Sequence, residues 1–124
     1  MSTSPPQRPS LFSVELRTAR WEELVDWYRD VVGLRVLVRV IDDRYALLEA
    51  GDTRLAIMGR DGPGAASGRW SLGFETEDLD AVCLRLGAAA TPPRINPEGF
   101  RELAALDPDG NKIRLFSWAP GHRV

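Results

Sequence analysis

The sequence is poor in the residues that carry redox and metal chemistry: among its 124 residues are one cysteine, Cys83, and one histidine, His122. A lone cysteine excludes an internal disulfide. Cys83 falls on the apolar stripe of a helix and reads as a packed core thiol, while His122, past the last strand, reads as a solvated tail residue. Long apolar runs are also missing, with nothing approaching the roughly 20 residues that would span a bilayer. The N-terminus MSTSPPQRPS has no apolar core of a signal peptide, so a cytoplasmic protein is expected. Charge of one sign is lacking too: 16 basic and 18 acidic residues give a net charge of −2 and are interleaved, which excludes the basic footprint of nucleic-acid binding. Lysine is confined to Lys112 among the 16 basic residues, the mark of a GC-rich, bacterial genome.

What is present is a chain that is 44% apolar, long enough for one domain with a substantial core. It repeats once, at an offset of 58 residues that carries Ser13 onto Ser71 and Ala56 onto Arg114. SVELRT, a helix over 21–32 and strands ending in TRLAIM are echoed by SLGFET, a helix over 79–86 and NKIRLF. The pattern predicts two tandem βαβββ modules, an α+β fold in which a curved mixed β-sheet surrounds a pocket with the helices outside. A loose arm (1–10) precedes one domain (11–118), made of module one (11–59), a linker (60–68) and module two (69–118); a tail (119–124) follows.

Local signals place the elements. Phe12, Val14 and Leu16 alternate with polar residues, predicting a strand over 12–17. Thr18 is expected to cap the first helix, Gly33 to stop it, and Thr76 and Gly87 to do the same for the second. Strands are predicted over 35–40, 44–49, 53–58, 70–76, 100–106 and 111–118, with a further short strand inside the proline-rich loop 90–99. Gly51-Asp52 and Asp109-Gly110 mark hairpin turns. Trp21, Trp27 and Trp70 read as packing residues.

Period-2 alternation then lists the side chains facing the pocket. They are Ser13, Glu15 and Arg17; Ser71, Gly73 and Glu75; Tyr45, Leu47 and Glu49 beside Met58, Ala56 and Arg54; and Leu103, Ala105 and Asp107 beside Phe116, Arg114 and Lys112. The candidate ligand-binding residues are Glu15, Arg17, Tyr45, Arg54, Met58, Glu75, Arg114 and Phe116, a mixture suited to an organic molecule with an apolar body and polar handles. Arg114 either clamps an anionic group of a ligand or neutralises Glu15 or Glu75. Arg54 with Glu49, and Lys112 with Asp107, read as cross-strand pairs.

The motifs DWYRDVVGL (26–34), LGFETEDLDAV (72–82) and DPDGNKIRLF (107–116), in this order and at this spacing, make the chain resemble the vicinal oxygen chelate superfamily, the group of glyoxalase I, extradiol dioxygenases and bleomycin-resistance proteins. The resemblance covers residues 11–118. It implies four inward strand positions that hold one divalent ion in metal-dependent members, and here these are Ser13, Ala56, Ser71 and Arg114. A serine hydroxyl is a poor donor to a transition metal, alanine has no lone pair and a guanidinium repels a cation. The expected protein therefore has no metal, no cofactor and no catalytic residue, and sequesters a small amphiphilic organic ligand as bleomycin-resistance proteins do. The alternative is a metal-independent isomerase, lyase or cyclase acting on a secondary metabolite, with Glu15 or Glu75 as general base and Arg114 stabilising an anion. The resemblance also implies a homodimer.

Overall fold

The computed structural model describes residues 8–62, 64 and 68–118. His122 and the proposed tail lie outside the described residues, as do residues 1–7 of the arm. The chain is α+β, with the elements β1 (Ser13–Thr18), α1 (Trp21–Trp27), a π-helical turn (Tyr28–Val32), β2 (Arg35–Val40), β3 (Tyr45–Ala50), β4 (Thr53–Gly59), β5 (Leu72–Glu75), α2 (Leu79–Leu86), β6 (Arg94–Ile95), β7 (Phe100–Leu106) and β8 (Lys112–Trp118). Two four-stranded mixed sheets result, in the orders β1-β4-β3-β2 and β5-β8-β7-β6. In each, the first strand of a module lies parallel to its last, and the hairpins between are antiparallel. The two sheets are thus copies of one topology, and the short β6 in the proline-rich loop takes the place that β2 holds in the first module. No helix among the described residues is long and apolar enough to cross a membrane.

Both helices begin where the repeat places them, but neither is capped by its threonine. The Thr18 hydroxyl accepts the N–H of Arg20, and the Thr76 hydroxyl that of Asp78, so each threonine closes a turn two residues ahead of the cap. Asp78 is the cap of α2, its Oδ1 accepting the N–H of Ala81 at 3.0 Å. The first helix widens into its π turn at Tyr28 and stops at Gly33, whose φ of 96° is the left-handed value that glycine tolerates best. Arg85 of α2 then donates through Nε to the carbonyl of Val31 at 2.9 Å, satisfying a helix end and joining the modules.

One core serves both modules. Leu16, Leu24, Val25, Leu48, Leu55 and Ile57 from the first pack in a single cluster with Leu79, Val82, Leu86, Leu103, Ile113 and Leu115 from the second. Tyr28, fully buried, reaches across it: its hydroxyl donates to Asp107 Oδ2 at 2.7 Å. Burial, followed by the Asp107 carboxylate, pushes the Tyr28 phenol far above its usual range, so it remains a proton donor. Asp107 also accepts from the N–H groups of Asp109 and Asn111 and from Asn111 Nδ2. Rather than pairing with Lys112 across the hairpin, it organises the turn that starts β8.

That turn shifts a register. Leu106 pairs with Lys112, so five residues lie between the strands and the Asp107 N–H donates to the carbonyl of Asn111; Gly110 takes a φ of 84°. In the first module Ala50 pairs with Thr53 across Gly51-Asp52 alone, as expected. The longer turn sets Glu102, Ala104 and Leu106 opposite Phe116, Arg114 and Lys112. Leu103 and Ala105, expected in the pocket, face the helices instead. The energetic reason is that Leu103, Ile113 and Leu115 are all buried by this register, at about 1.5–3 kcal/mol each, and a one-residue slip of β7 would turn Leu103 outward.

Candidate functional site

The open faces of the two sheets hold the expected residues in two groups. On the first sheet the register sets Arg17, Met58 and Tyr45 in one row, Glu15, Ala56 and Leu47 in the next, and Ser13, Arg54 and Glu49 in the third. Val38 and Val40 of β2, opposite Leu47 and Tyr45, extend this face to the sheet edge and are exposed. The result is an apolar strip of Val38, Val40, Leu47, Tyr45 and Met58, bordered by Glu15 and Arg17. Arg54 does not join Glu49. Its Nη1 donates to the carbonyl of Asp52 and its guanidinium lies over the Phe12 ring, while Glu49 forms an ion pair with Arg35 at 3.6 Å.

On the second sheet, β5 places Gly73 beside Arg114 and Glu75 beside Phe116. Arg114 is paired with Glu102: its Nη2 is hydrogen-bonded to Glu102 Oε2. Glu102 receives in addition Asn96 Nδ2 at 3.2 Å and Arg94 Nη2 at 3.5 Å on Oε1. Its side chain is 10% exposed against 39% for Arg114 and 80% for Arg94. The carboxylate is thus the floor and the guanidiniums the accessible rim. The hydrogen bond from Arg114, then that from Asn96, holds the Glu102 carboxyl below the ordinary glutamate range, so it stays ionised.

Beside this cluster stands an aromatic wall. Phe100, Phe116 and Trp118 converge with ring centroids 5.3–5.7 Å apart in tilted and edge-to-face arrangements. Strand alternation puts the wall and the ionic cluster on one face: Phe100, Glu102 and Ala104 on β7, Trp118, Phe116 and Arg114 on β8. Trp21, by contrast, is core, its Nε1–H donating to the Ile57 carbonyl at 2.9 Å. Trp27 packs edge-on to Tyr28, and Trp70 lies outside β5 and is exposed.

Two clefts open near these groups. One, of about 370 Å³, is lined by Thr91, Pro92, Arg94, Glu102, Lys112 and Arg114. The other, of about 450 Å³, lies where the edges of the two sheets approach, with Val14, Arg54 and Leu55 on one side and Leu72, Phe74 and Glu75 on the other. Sequence reasoning missed Glu102, Arg94, Phe100 and Trp118. The signal that bears on the first is the turn: DPDGN, with glycine placed for a left-handed residue after a three-residue bend, permits the one-residue shift that brings Glu102 to the open face, and burial of Leu103 selects it.

At the four positions where a divalent ion would be held, Ser13 is half-buried on β1, Ala56 is buried between Glu15 and Leu47, Ser71 precedes β5 and Arg114 is committed to Glu102. This donor set does not fit a transition metal. Among the described residues, no group of three or more His, Cys, Asp or Glu side chains could hold one.

Comparison with known proteins agrees with the architecture. TnmS3, an antibiotic binding protein from Streptomyces sp. CB03234, aligns with a TM-score of 0.73 at 26% identity, covering 93% of this chain and 100% of that one. TioX from Micromonospora sp. ML1 aligns with a TM-score of 0.68 at 25% identity, over 88% of this chain and 98% of its own. The uncharacterized protein YraH of Bacillus subtilis (strain 168) is 24% identical, over 86% of this chain and 96% of its own length. With two βαβββ modules, a shared core and a family model matching residues 10–115, the chain belongs to the Glyoxalase/Bleomycin resistance protein/Dioxygenase superfamily.

Proposed function

We propose that this protein is a metal-independent binder that sequesters an amphiphilic organic molecule on the open faces of its sheets. The observation that carries the reading is the Phe100, Phe116 and Trp118 wall set beside Arg114 and Glu102. Aromatic rings offer a large apolar surface with few rotors to freeze, and a small number of fixed polar groups orient what lies on them. The likeness to an antibiotic binding protein supports the same reading. Of the residues expected from sequence, Phe116 belongs to the wall and Glu75 and Arg114 adjoin it, while Tyr45 and Met58 lie in the apolar strip of the first sheet with Glu15 and Arg17 at its border, and Arg54 lies over Phe12. Native mass spectrometry of freshly isolated protein is expected to show a retained small organic molecule, released on denaturation. Phe116→Ala is expected to lose it. Retention of the same molecule by that variant would remove the wall from the site. Elemental analysis after purification without chelator tests metal independence: one equivalent of a first-row metal bound at the site would overturn it.

The second reading, a metal-independent isomerase, lyase or cyclase, draws on Glu15, which is exposed on the first sheet and has no ion-pair partner among the described residues. It predicts that the retained molecule is converted on incubation and that Glu15→Gln abolishes conversion without loss of binding. Glu102, fixed and ionised by its arginine, is unsuited to be the base.

The chain is also proposed to act as a homodimer. Exposed Val38, Val40 and Ile41 at the β2 edge, and Ile95 on β6, leave apolar sheet edges for a second copy to cover. Sedimentation as a strict monomer at micromolar concentration would refute it.

A further inference from the structure

The 370 Å³ cleft of the second sheet is electrostatically unlike the chain that carries it. Arg94, Lys112 and Arg114 line it against the single carboxylate of Glu102, leaving two positive charges uncompensated on a protein whose net charge is −2. Glu75, on the same face opposite Phe116, offsets at most one of them. Opposite charge is thus concentrated in one concave place, where low-dielectric walls focus its field.

The geometry also says how the charge is presented. Glu102 occupies Nη2 of Arg114, and a guanidinium has five N–H donors in a rigid fork. Its remaining donors are available at a side chain that is 39% exposed. Glu102 therefore holds Arg114 in place without exhausting it, a positioning residue for a cation whose own rotamers would otherwise be costly to freeze. Arg94, tethered to the same carboxylate, and the exposed Lys112 add two more cationic groups at the rim. The arrangement matches the bidentate recognition of a planar or tetrahedral oxyanion.

Two residues along β8 from Arg114 stands Phe116, on the same face, with Phe100 and Trp118 around it. Residues i and i+2 of a strand are roughly 6.6–6.8 Å apart, about the span from the anionic group of a small arene to its far ring. Resting on the binding function proposed above, we infer that the ligand class is an aromatic molecule bearing an anionic group, a carboxylate or a phosphate. Its ring packs on Phe100, Phe116 and Trp118, and its anion enters the cleft between Arg94, Lys112 and Arg114.

Isothermal titration of the intact chain with 2-naphthoate, 2-naphthyl phosphate and the neutral 2-naphthamide tests this. At low salt, at least one anion is expected to bind about tenfold more tightly than the amide, a preference that shrinks as salt is raised. The preferred anion tells carboxylate from phosphate. Arg114→Met is expected to abolish the preference. Because that variant strands Glu102, Arg94→Gln combined with Lys112→Gln provides a second route: both residues are exposed, the Glu102–Arg114 pair stays intact, and the preference is expected to fall by about three- to tenfold. Equal binding of amide and anions, or a preference that survives both variants, overturns the anionic class but leaves small-molecule binding standing. Failure of all three probes to bind at millimolar concentration overturns both.

Discussion

Replacing Tyr28 by Phe removes one oxygen from the centre of the molecule and nothing else. The side chain is fully buried, and phenylalanine fills the same volume, so no cavity opens. What disappears is the 2.7 Å hydrogen bond to Asp107 Oδ2. Asp107 is itself buried and keeps three other donors, two backbone N–H groups and Asn111 Nδ2, but no water route replaces the fourth without opening the core. Hydrogen bonds to charged groups contribute about 1.5–3 kcal/mol. With the carboxylate still three-quarters satisfied, about 2 kcal/mol is expected. For a domain of this size, with a urea m-value in the usual range of about 1–3 kcal/mol/M, the midpoint should fall by about 1 M at unchanged slope. Asp107→Ala is expected to cost more, about 3–5 kcal/mol, because it also strands the phenol and loosens the turn. The double variant should then be less destabilised than the sum by about 1.5–3 kcal/mol. Since Tyr28 belongs to the first module and Asp107 to the turn that launches Lys112, Arg114 and Phe116, the coupling measures how the first module holds the second module's site. A loss below about 0.5 kcal/mol for Tyr28→Phe, or strict additivity in the cycle, would refute the reasoning.

Other consequences are equally direct. Glu102, held low by Arg114, supplies stability that is present above the ordinary glutamate value of 4.5 and is lost as pH falls through its lower folded-state value; its side-chain carbon signal in an NMR titration should turn over below pH 4.5. Over the same range the stability advantage of wild type over Glu102→Gln should vanish, and an advantage that persists at pH 2 would contradict the ion pair. Gly59→Ala should destabilise by about 1–3 kcal/mol in thermal or urea unfolding, because the new Cβ would lie 2.7 Å from Arg44 Cβ, an atom close to the backbone that cannot swing away. Arg85→Ala removes the Nε donor to the Val31 carbonyl and should cost about 1 kcal/mol, with faster amide exchange at the end of the π turn; unchanged exchange there would separate Arg85 from the helix end.

Much of the fold was legible because it rests on short-range chemistry. Gly33 and Gly87 end helices where the apolar period breaks, and Gly51-Asp52 sets the first hairpin. Both helix starts, Trp21 and Leu79, keep the 58-residue offset. Two local readings differed: Thr18 and Thr76 close turns rather than cap helices, since the caps lie two residues further on, where a threonine hydroxyl has already been used. The first sheet's face was readable for the same reason as its hairpin. The second was not, because FRELAAL alternates acceptably in either phase: Phe100, Glu102 and Ala104 could face out, or Arg101, Leu103 and Ala105.

By itself the sequence determined the βαβββ repeat and the apolar stripes, properties of residues and their spacing, while the quartet Ser13, Ala56, Ser71 and Arg114 followed from the family resemblance. Tertiary structure decided the rest. Burying Leu103 against the helices, with Asp107 pinned by a tyrosine 79 residues away, chose the phase of β7, and that choice alone turned Glu102 toward Arg114 and brought Phe100 to Phe116 and Trp118. Pattern along a strand states which residues share a face; only packing against the other module states which face is open.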